Sequence, residues 1–369
     1  MRKRYTAKQS FQSSAATEAK DLLPKDVLNA LRNVNDPELG RDLVSLGMIQ
    51  DVQTRDGRVQ FTLRLTTPAC PLREQLKSMA HQAVAALPGV REVHIKLDAQ
   101  VPSATGLPGQ RNIPGVRQVI AVASGKGGVG KSTVAVNLAL ALSGAGARVG
   151  LLDADFYGPN VPQMLGSQGR AFGRGNGLVP VSARGLQVMS FAYLVEPRKP
   201  VIWRGPLLMG AIQQLLFDTQ WEDLDYLVVD LPPGTGDVPL SLAQLVPLAG
   251  VVIVTTPQSV AVSDVMRSIE MFQALGTPVL GVVENMSFLE CPDCGKRVEI
   301  FGRGGGQFLA DQYDLPLLAQ IPLDPGVCQG ADEGKPAGDA IGPVATAFRQ
   351  LAEKVAAQVS IQQLTGVTV

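Results

Sequence analysis

Gly125, Gly130, Lys131 and Ser132 satisfy the spacing G-x-x-x-x-G-K-[ST] within the stretch GKGGVGKST. That spacing is suited to phosphate. Glycines 125, 127, 128 and 130, with Val129 between them, let successive backbone N–H groups turn inward on phosphate oxygens, and a helix opening at the lysine adds the positive end of its dipole. Lys131 then reaches the outer phosphates, and the Ser132 hydroxyl, followed by Thr133, ligates magnesium. The flanks supply what the motif needs: the apolar run QVIAVAS before it reads as a strand, and TVAVNLALAL after it reads as a helix. The stretch is a P-loop for a nucleoside triphosphate.

Two acidic loops fall where such a loop needs partners. The apolar runs 149–152 and 226–229 end in DADFYGPN and DLPPGTGD. Ligands of open α/β sheets bind at the carboxyl ends of strands. Asp230 is the candidate that holds magnesium, directly or through water. Asp155, in the first loop with Asp153, is the candidate that orients the attacking water, since phosphoryl transfer rests on positioning and charge compensation. Gly234, Thr235, Gly236 and Asp237 form a segment that would move when the γ-phosphate leaves. An acidic residue at a strand end also serves as a helix cap, and that reading stays open for Asp155 and Asp230.

Of the four cysteines, Cys291 and Cys294 stand apart in ECPDCGK. A C-x-x-C turn with Pro and Gly presents two thiolates to one metal at the spacing of zinc knuckles and iron-sulfur sites. One pair supplies half of a four-thiolate site, and the sequence holds no second C-x-x-C. A zinc bridge, a redox disulfide and unliganded thiols remain alternatives. Cys70, in TTPACPL, lies between two prolines just before a helix, where the dipole favours a thiolate. It is either a transient metal ligand or a small, partly buried residue. Cys328, in DPGVCQG, has no partner at useful spacing and is expected to be structural.

The elements that must position these groups follow from pattern. The chain has 369 residues, 45 % of them apolar and 5 % aromatic. That length predicts two globular units with a linker, and that balance suits helices packed on parallel strands. Residues 1–22 read as a flexible N-terminus. Residues 23–98 read as a small α+β domain, with a helix near 24–33, strands at 48–52 and 59–65, a helix at about 72–87 and a strand at 93–97. Residues 99–115 are rich in Pro and Gly and read as a linker. Residues 116–360 alternate apolar runs (119–123, 149–152, 226–229, 251–255, 278–283 and 317–321) with helical stretches, which predicts an α/β, doubly wound, mainly parallel sheet. Residues 361–369 read as a tail. Lys plus Arg equals Asp plus Glu, so the net charge is zero and no basic field recruits nucleic acid or anionic lipid. No run is long enough to span a bilayer and the basic start lacks an apolar signal core, so the expected location is the cytoplasm, with no membrane partner.

The order KGGVGK places a second lysine, Lys126, at the front of the loop, where it is otherwise a solvated surface lysine. This resembles the deviant Walker A motif of the MinD, ParA and nitrogenase iron protein superfamily. The resemblance implies that Lys126 reaches a partner's nucleotide across a homodimer. It also implies that Asn285, in ENMS, contacts the base; a turn-forming asparagine is the other reading. Residues 118 to about 358, with GKGGVGKST, DADFYGPN, WRGP at 203–206, DLPPGTGD, ENMS and CPDCG, are similar to the Mrp (ApbC-like) iron-sulfur cluster carrier ATPases. DPELGRDLVSLGMI and LTTPACPL resemble the small domain fused to many bacterial members and found alone in iron-sulfur assembly factors. The resemblance implies ATP and magnesium as ligands, slow hydrolysis, a [4Fe-4S] cluster bridged between two subunits by Cys291 and Cys294, and transfer to apo iron-sulfur proteins, with assembly scaffolds as further partners. The rival is a MinD- or ParA-type switch with a zinc-bridged dimer. DNA partitioning wants a basic surface and membrane switching wants a basic amphipathic C-terminal helix, and neither explains the cysteines. A reductase like the nitrogenase iron protein carries its cysteines in different segments.

Overall fold

The computed structural model describes residues 22–106, 108–175, 177–194, 205–339 and 342–365. The expected N-terminus up to residue 21, Trp203 and Arg204 of WRGP, and residues 366–369 of the expected tail lie outside the described residues. The chain divides into two compact units.

The smaller unit comprises residues 22–36, Arg41–Leu63 and Gln75–Leu97. In chain order its elements are α1 (Pro24–Leu31), β1 (Ile49–Arg55), β2 (Arg58–Leu65), α2 (Arg73–Ala85) and β3 (Glu92–Ala99), and the sheet order is β1-β2-β3. The period-2 pattern of β2 buries Val59, Phe61 and Leu63, and the period-4 stripe of α2 buries Leu76, Ala80 and Val84.

The larger unit holds Pro37–Gly40, Arg64–Glu74 and the chain from Asp98 onward. Its elements are β4 (Val116–Ser124), α3 (Lys131–Gly144), β5 (Val149–Asp153), α4 (Val161–Met164), β6 (Phe172–Arg174), β7 (Gly177–Val179), β8 (Val181–Ala183), β9 (Leu186–Ser190) and α5 (Gly205–Gln213). Then come β10 (Leu224–Asp230), α6 (Asp237–Leu245), β11 (Leu248–Thr255), α7 (Ser259–Ala274) and β12 (Val279–Glu284). A short hairpin, β13 (Leu289–Glu290) and β14 (Arg297–Val298), leads to α8 (Gly305–Tyr313), β15 (Leu317–Gln320), α9 (Pro325–Asp332) and α10 (Pro343–Thr365). The expected tail therefore continues the last helix through residue 365.

Eight strands form one sheet in the order β15-β12-β11-β4-β10-β5-β9-β8, and all neighbours are parallel except β8 on β9. This is the doubly wound, mainly parallel sheet that the alternating runs predict. β4, β10 and β11 are apolar without alternation because both faces are covered. Ile120 and Val122 of β4 point into a core with Leu138 and Leu142 of α3 and Phe348 and Val355 of α10. Val119, Ala121 and Ala123 point the other way, into a core with Leu242 of α6 and Phe272 of α7. Each fully buried Leu, Ile or Phe contributes about 1.5–3 kcal/mol, and that apolar burial holds the strand ends in place. α3 is buried nearly all round, which fits its unbroken apolar sequence.

Among the described residues of 100–115 there is no helix or strand, yet the segment is tied to the larger unit. Val101 and Ile113 are buried, Arg111 N donates to Leu245 O at 2.8 Å, and Gln110 Nε2 donates to Ala243 O at 2.9 Å. None of the described helices is long and apolar enough to cross a membrane.

Candidate nucleotide and thiolate site

The phosphate loop joins β4 to α3. Gly128 and Gly130 both have φ 83°, a region that L side chains avoid. A Cβ on Gly130 would also lie 2.2 Å from Nδ2 of Asn285. Glycine is required there twice over, because Asn285 reaches past it to donate from Nδ2 to the Val129 carbonyl at 2.9 Å. Asn285 thus braces the loop in addition to any contact with a base. Ser124 Oγ donates to the Lys126 carbonyl at 3.0 Å, and Gly234 N donates to the Ser124 carbonyl at 2.8 Å, linking the second acidic loop to the first turn of the P-loop.

Lys131 is buried at 6 % exposure. Its Nζ stands 2.6 Å from Asp230 Oδ1, 3.7 Å from Asp155 Oδ2 and 3.3 Å from Ser132 Oγ. The structure therefore gathers Lys131, Ser132, Asp155 and Asp230, four of the residues expected from sequence. The second oxygen of Asp230, Oδ2, is buried with no hydrogen-bond partner among the described residues. A buried, unpaired carboxylate oxygen beside a serine hydroxyl is what a hard divalent cation takes as ligands. Burial pushes the Asp230 carboxyl up, and the charge and hydrogen bond of Lys131, with the Ser132 hydrogen bond, hold it back.

Asp153 and Asp230 are register partners on the neighbouring strands β5 and β10. Asp153 accepts from Ser190 Oγ at 2.9 Å, from Asp155 N at 3.2 Å and from Val161 N at 3.3 Å. Burial, and then the charge of Asp230, push it up to about 8. Its place is structural in a specific sense: it shapes the loop that aims Asp155. Sequence reading puts Asp153 in this loop but does not show that role, because the strand order that brings β9 and its Ser190 beside β5 is a tertiary fact.

Gly127, Lys126 and Thr133 line the same cavity of about 300 Å³ as Lys131 and Asp155. Beside it opens a second cavity of about 410 Å³, walled by Thr133, Asn285, Met286, Pro322, Leu323 and Cys328. The loop IPLDPG at the carboxyl end of β15 was the missed signal, since the strand-end rule applies to it as well. Cys328, expected to be structural, is exposed on α9 and forms part of this wall.

Cys291 and Cys294 sit at the tip of the β13–β14 hairpin. Cys291 N donates to Lys296 O at 3.0 Å and Gly295 N to Cys291 O at 2.9 Å, a tight knuckle closed by Gly295 at φ 68°. The amide N–H groups of Asp293 and Cys294, followed by the Cys294 thiol, hold the Cys291 thiol below its ordinary range. In metal-free protein Cys291 is expected to reach half-maximal alkylation by iodoacetamide at a lower pH than in the urea-unfolded chain. Coincident pH profiles would show that the knuckle does not activate it. Among the described residues no three His, Cys, Asp or Glu come together as a metal-binding group, so the hairpin offers two ligands and Cys70, half-buried before α2, joins no such group.

Residues 115–356 match the family described as NUBPL iron-transfer P-loop NTPase, and residues 24–95 match the family described as iron-sulfur cluster assembly protein. The iron-sulfur cluster carrier protein of Deinococcus radiodurans is 52 % identical over 344 residues, covering 92 % of this chain and 96 % of its own. That of Synechocystis is 49 % identical over 346 residues, covering 92 % and 98 %. A solved nucleotide-binding protein from Archaeoglobus fulgidus in complex with ADP is 42 % identical, with a TM-score of 0.54, over 60 % of this chain and 88 % of that one.

Proposed function

The chain belongs to the NUBPL iron-transfer P-loop NTPase family, and from that premise we propose that it hydrolyses ATP while carrying a [4Fe-4S] cluster between two subunits for delivery to apo-proteins. The observation that carries this reading is the Cys291–Cys294 knuckle, half-buried at Cys291 and exposed at Cys294, on the same fold as the phosphate loop. Two thiolates on one chain and four needed by the cluster call for two copies of the hairpin, one from each member of a homodimer.

In this reading the N–H groups of residues 125–130 surround the phosphates, and Lys131 gives up its contacts with Asp230 and Asp155 to neutralise the outer ones. Ser132 and Asp230 would hold magnesium, which when bound supplies charge compensation for the phosphate oxygens. Asp155, released from Lys131, orients the attacking water, and Lys126 reaches the nucleotide of the second subunit. Asn285 and the wall around Met286 and Pro322 receive the base. The cluster is cargo: Cys291 and Cys294 hold it at the dimer axis, where opening of the interface exposes it to a client thiolate. Apo iron-sulfur proteins and assembly scaffolds in the cytoplasm are the partners this implies. Cys70 is a candidate transient ligand during handover.

The test is anaerobic reconstitution with iron and sulfide of the wild type and of a Cys291→Ser, Cys294→Ser variant. Expected are about four irons per two chains in the wild type and none held by the variant. Stoichiometric zinc in place of iron would overturn the carrier reading in favour of a zinc-bridged ATPase switch.

A further inference from the structure

Glu284, the last residue of β12, is fully buried at 0 % exposure, an uncommon place for a carboxylate and one that demands partners. It has three. Oε1 accepts from Ser287 Oγ at 2.5 Å and from Gln320 Nε2 at 3.0 Å, and Oε2 accepts from Gly306 N at 2.6 Å in the first turn of α8. The approach is close enough that a Cβ on Gly306 would lie 2.7 Å from the Cβ of Glu284. One carboxylate thus pins together the elbow after β12, the end of β15 and the start of α8.

The elbow itself connects the two chemistries. Asn285 braces the phosphate loop, and Met286, held at φ 53°, lines the cavity beside Thr133. A left-handed methionine is strained backbone, kept in place by its surroundings. Next, Ser287 N donates to Ile321 O at 2.9 Å and Leu323 N donates to Phe288 O at 2.7 Å, and Leu289 bridges to Leu323. Leu289 is also the first residue of the hairpin, paired with Val298, and Cys291 follows two residues later. The wall of the cavity and the root of the thiolate knuckle are therefore one continuous backbone ladder.

We propose that Glu284 is a positioning residue that couples the nucleotide cavity to the Cys291–Cys294 knuckle, so that an occupant pressing on Met286 or Pro322 changes how the two thiols are presented. This rests on the carrier reading only in taking those thiols as the cluster ligands. The carboxylate fixes the elbow against α8, so displacement of the cavity wall passes along the ladder into the hairpin. An amide at this position offers a single acceptor oxygen, so at least one of the three contacts must reverse its hydrogen-bond direction or break, and the charge that strengthens all three is gone.

The experiment uses the full chain before cluster loading. Alkylation rates at Cys291 and Cys294 are read by peptide mass spectrometry without nucleotide, with ADP and with a non-hydrolysable ATP analogue. In the wild type nucleotide is expected to change the rate about fivefold, a usual size for coupling between sites. In Glu284→Gln, and in the milder Ser287→Ala that leaves the helix contact in place, the ratio is expected to fall to near one while nucleotide affinity stays within about threefold. A merely structural role would lower affinity and leave the ratio alone. A nucleotide-independent rate in the wild type, or a ratio preserved in Ser287→Ala, overturns the proposal, and Ser287→Ala decides the matter if Glu284→Gln does not fold. Failure of the carrier reading would register separately, as missing iron after reconstitution with the alkylation response intact.

Discussion

Lys131→Met is expected to lower ATP turnover about a thousandfold, because charge compensation on the transferring phosphoryl group is the main service such a site performs. The same substitution should also weaken the fold. Lys131 Nζ lies between Asp230 and Asp155 at 2.6 and 3.7 Å, and Asp230 is 1 % exposed. Removing one member of a buried pair costs about 3 kcal/mol when the other stays charged. The loss has a pH signature. Lys131 is the charge that opposes the upward push of burial on Asp230, so without it the carboxyl rises further. The folded variant then keeps a proton that the unfolded chain has already released, and its stability falls as pH rises from the ordinary carboxylate range. Urea midpoints of wild type and variant should therefore diverge more at alkaline pH than at mildly acidic pH. A gap independent of pH would mean that Asp230 is not what the lysine balances. Lys126→Met is the control: Lys126 makes no ion pair among the described residues, so turnover should fall with the midpoint unchanged.

Those two lysines show what a sequence can disclose. The P-loop is legible because its function is carried by nine consecutive residues: glycine φ values, backbone donors and the first turn of α3 are all local. The Cys291–Cys294 spacing is local in the same way, Asp230 ends an apolar run, and Asp155 lies two residues beyond the end of β5. The sheet was also legible, since strands buried on both faces read as unbroken apolar stretches. What the pattern could not show is what strand order brings together. Asp153 meets Asp230 because β10 inserts between β4 and β5. Asn285 meets Val129 across 156 positions. Residues 99–115 carry no periodicity, yet Val101 and Ile113 are buried, because single apolar anchors in an irregular segment leave no repeat to detect. Glu284 was visible only as a neighbour of Asn285, and its burial depends on α8 and β15 arriving from later in the chain.

The least legible feature lies at the opposite end of the sheet and carries the second large expectation: Asp225→Ala should unfold the protein at a markedly lower temperature without disabling the nucleotide site. Asp225 is 6 % exposed near the start of β10. Its carboxylate accepts from Arg148 at the backbone N (2.9 Å), Nε (3.3 Å) and the second guanidinium nitrogen (3.0 Å), and Arg117 Nε lies 3.7 Å away. Asp223 adds a second contact with both arginines. The cluster fastens the amino-terminal ends of β10 and β4 to the segment entering β5, so all three strands are aligned before they reach Asp230 and Asp153. Deleting the acceptor leaves the guanidinium of Arg117, 26 % exposed, and that of Arg148, 48 % exposed, facing each other, with only the exposed Asp223 between them. With both guanidinium groups partly solvated, a loss of about 2 kcal/mol follows from the hydrogen bonds removed, with a fall of about 4–8 °C in Tm for a unit of this size. Five residue steps of extended strand, roughly 17 Å, separate Asp225 from Asp230. Nucleotide affinity measured well below the transition should therefore match the wild type. A variant that keeps its Tm and loses nucleotide would place the origin of the site's alignment elsewhere than in this cluster. A variant that loses Tm alone would show that the two ends of β10 do separate work, stability at one and chemistry at the other.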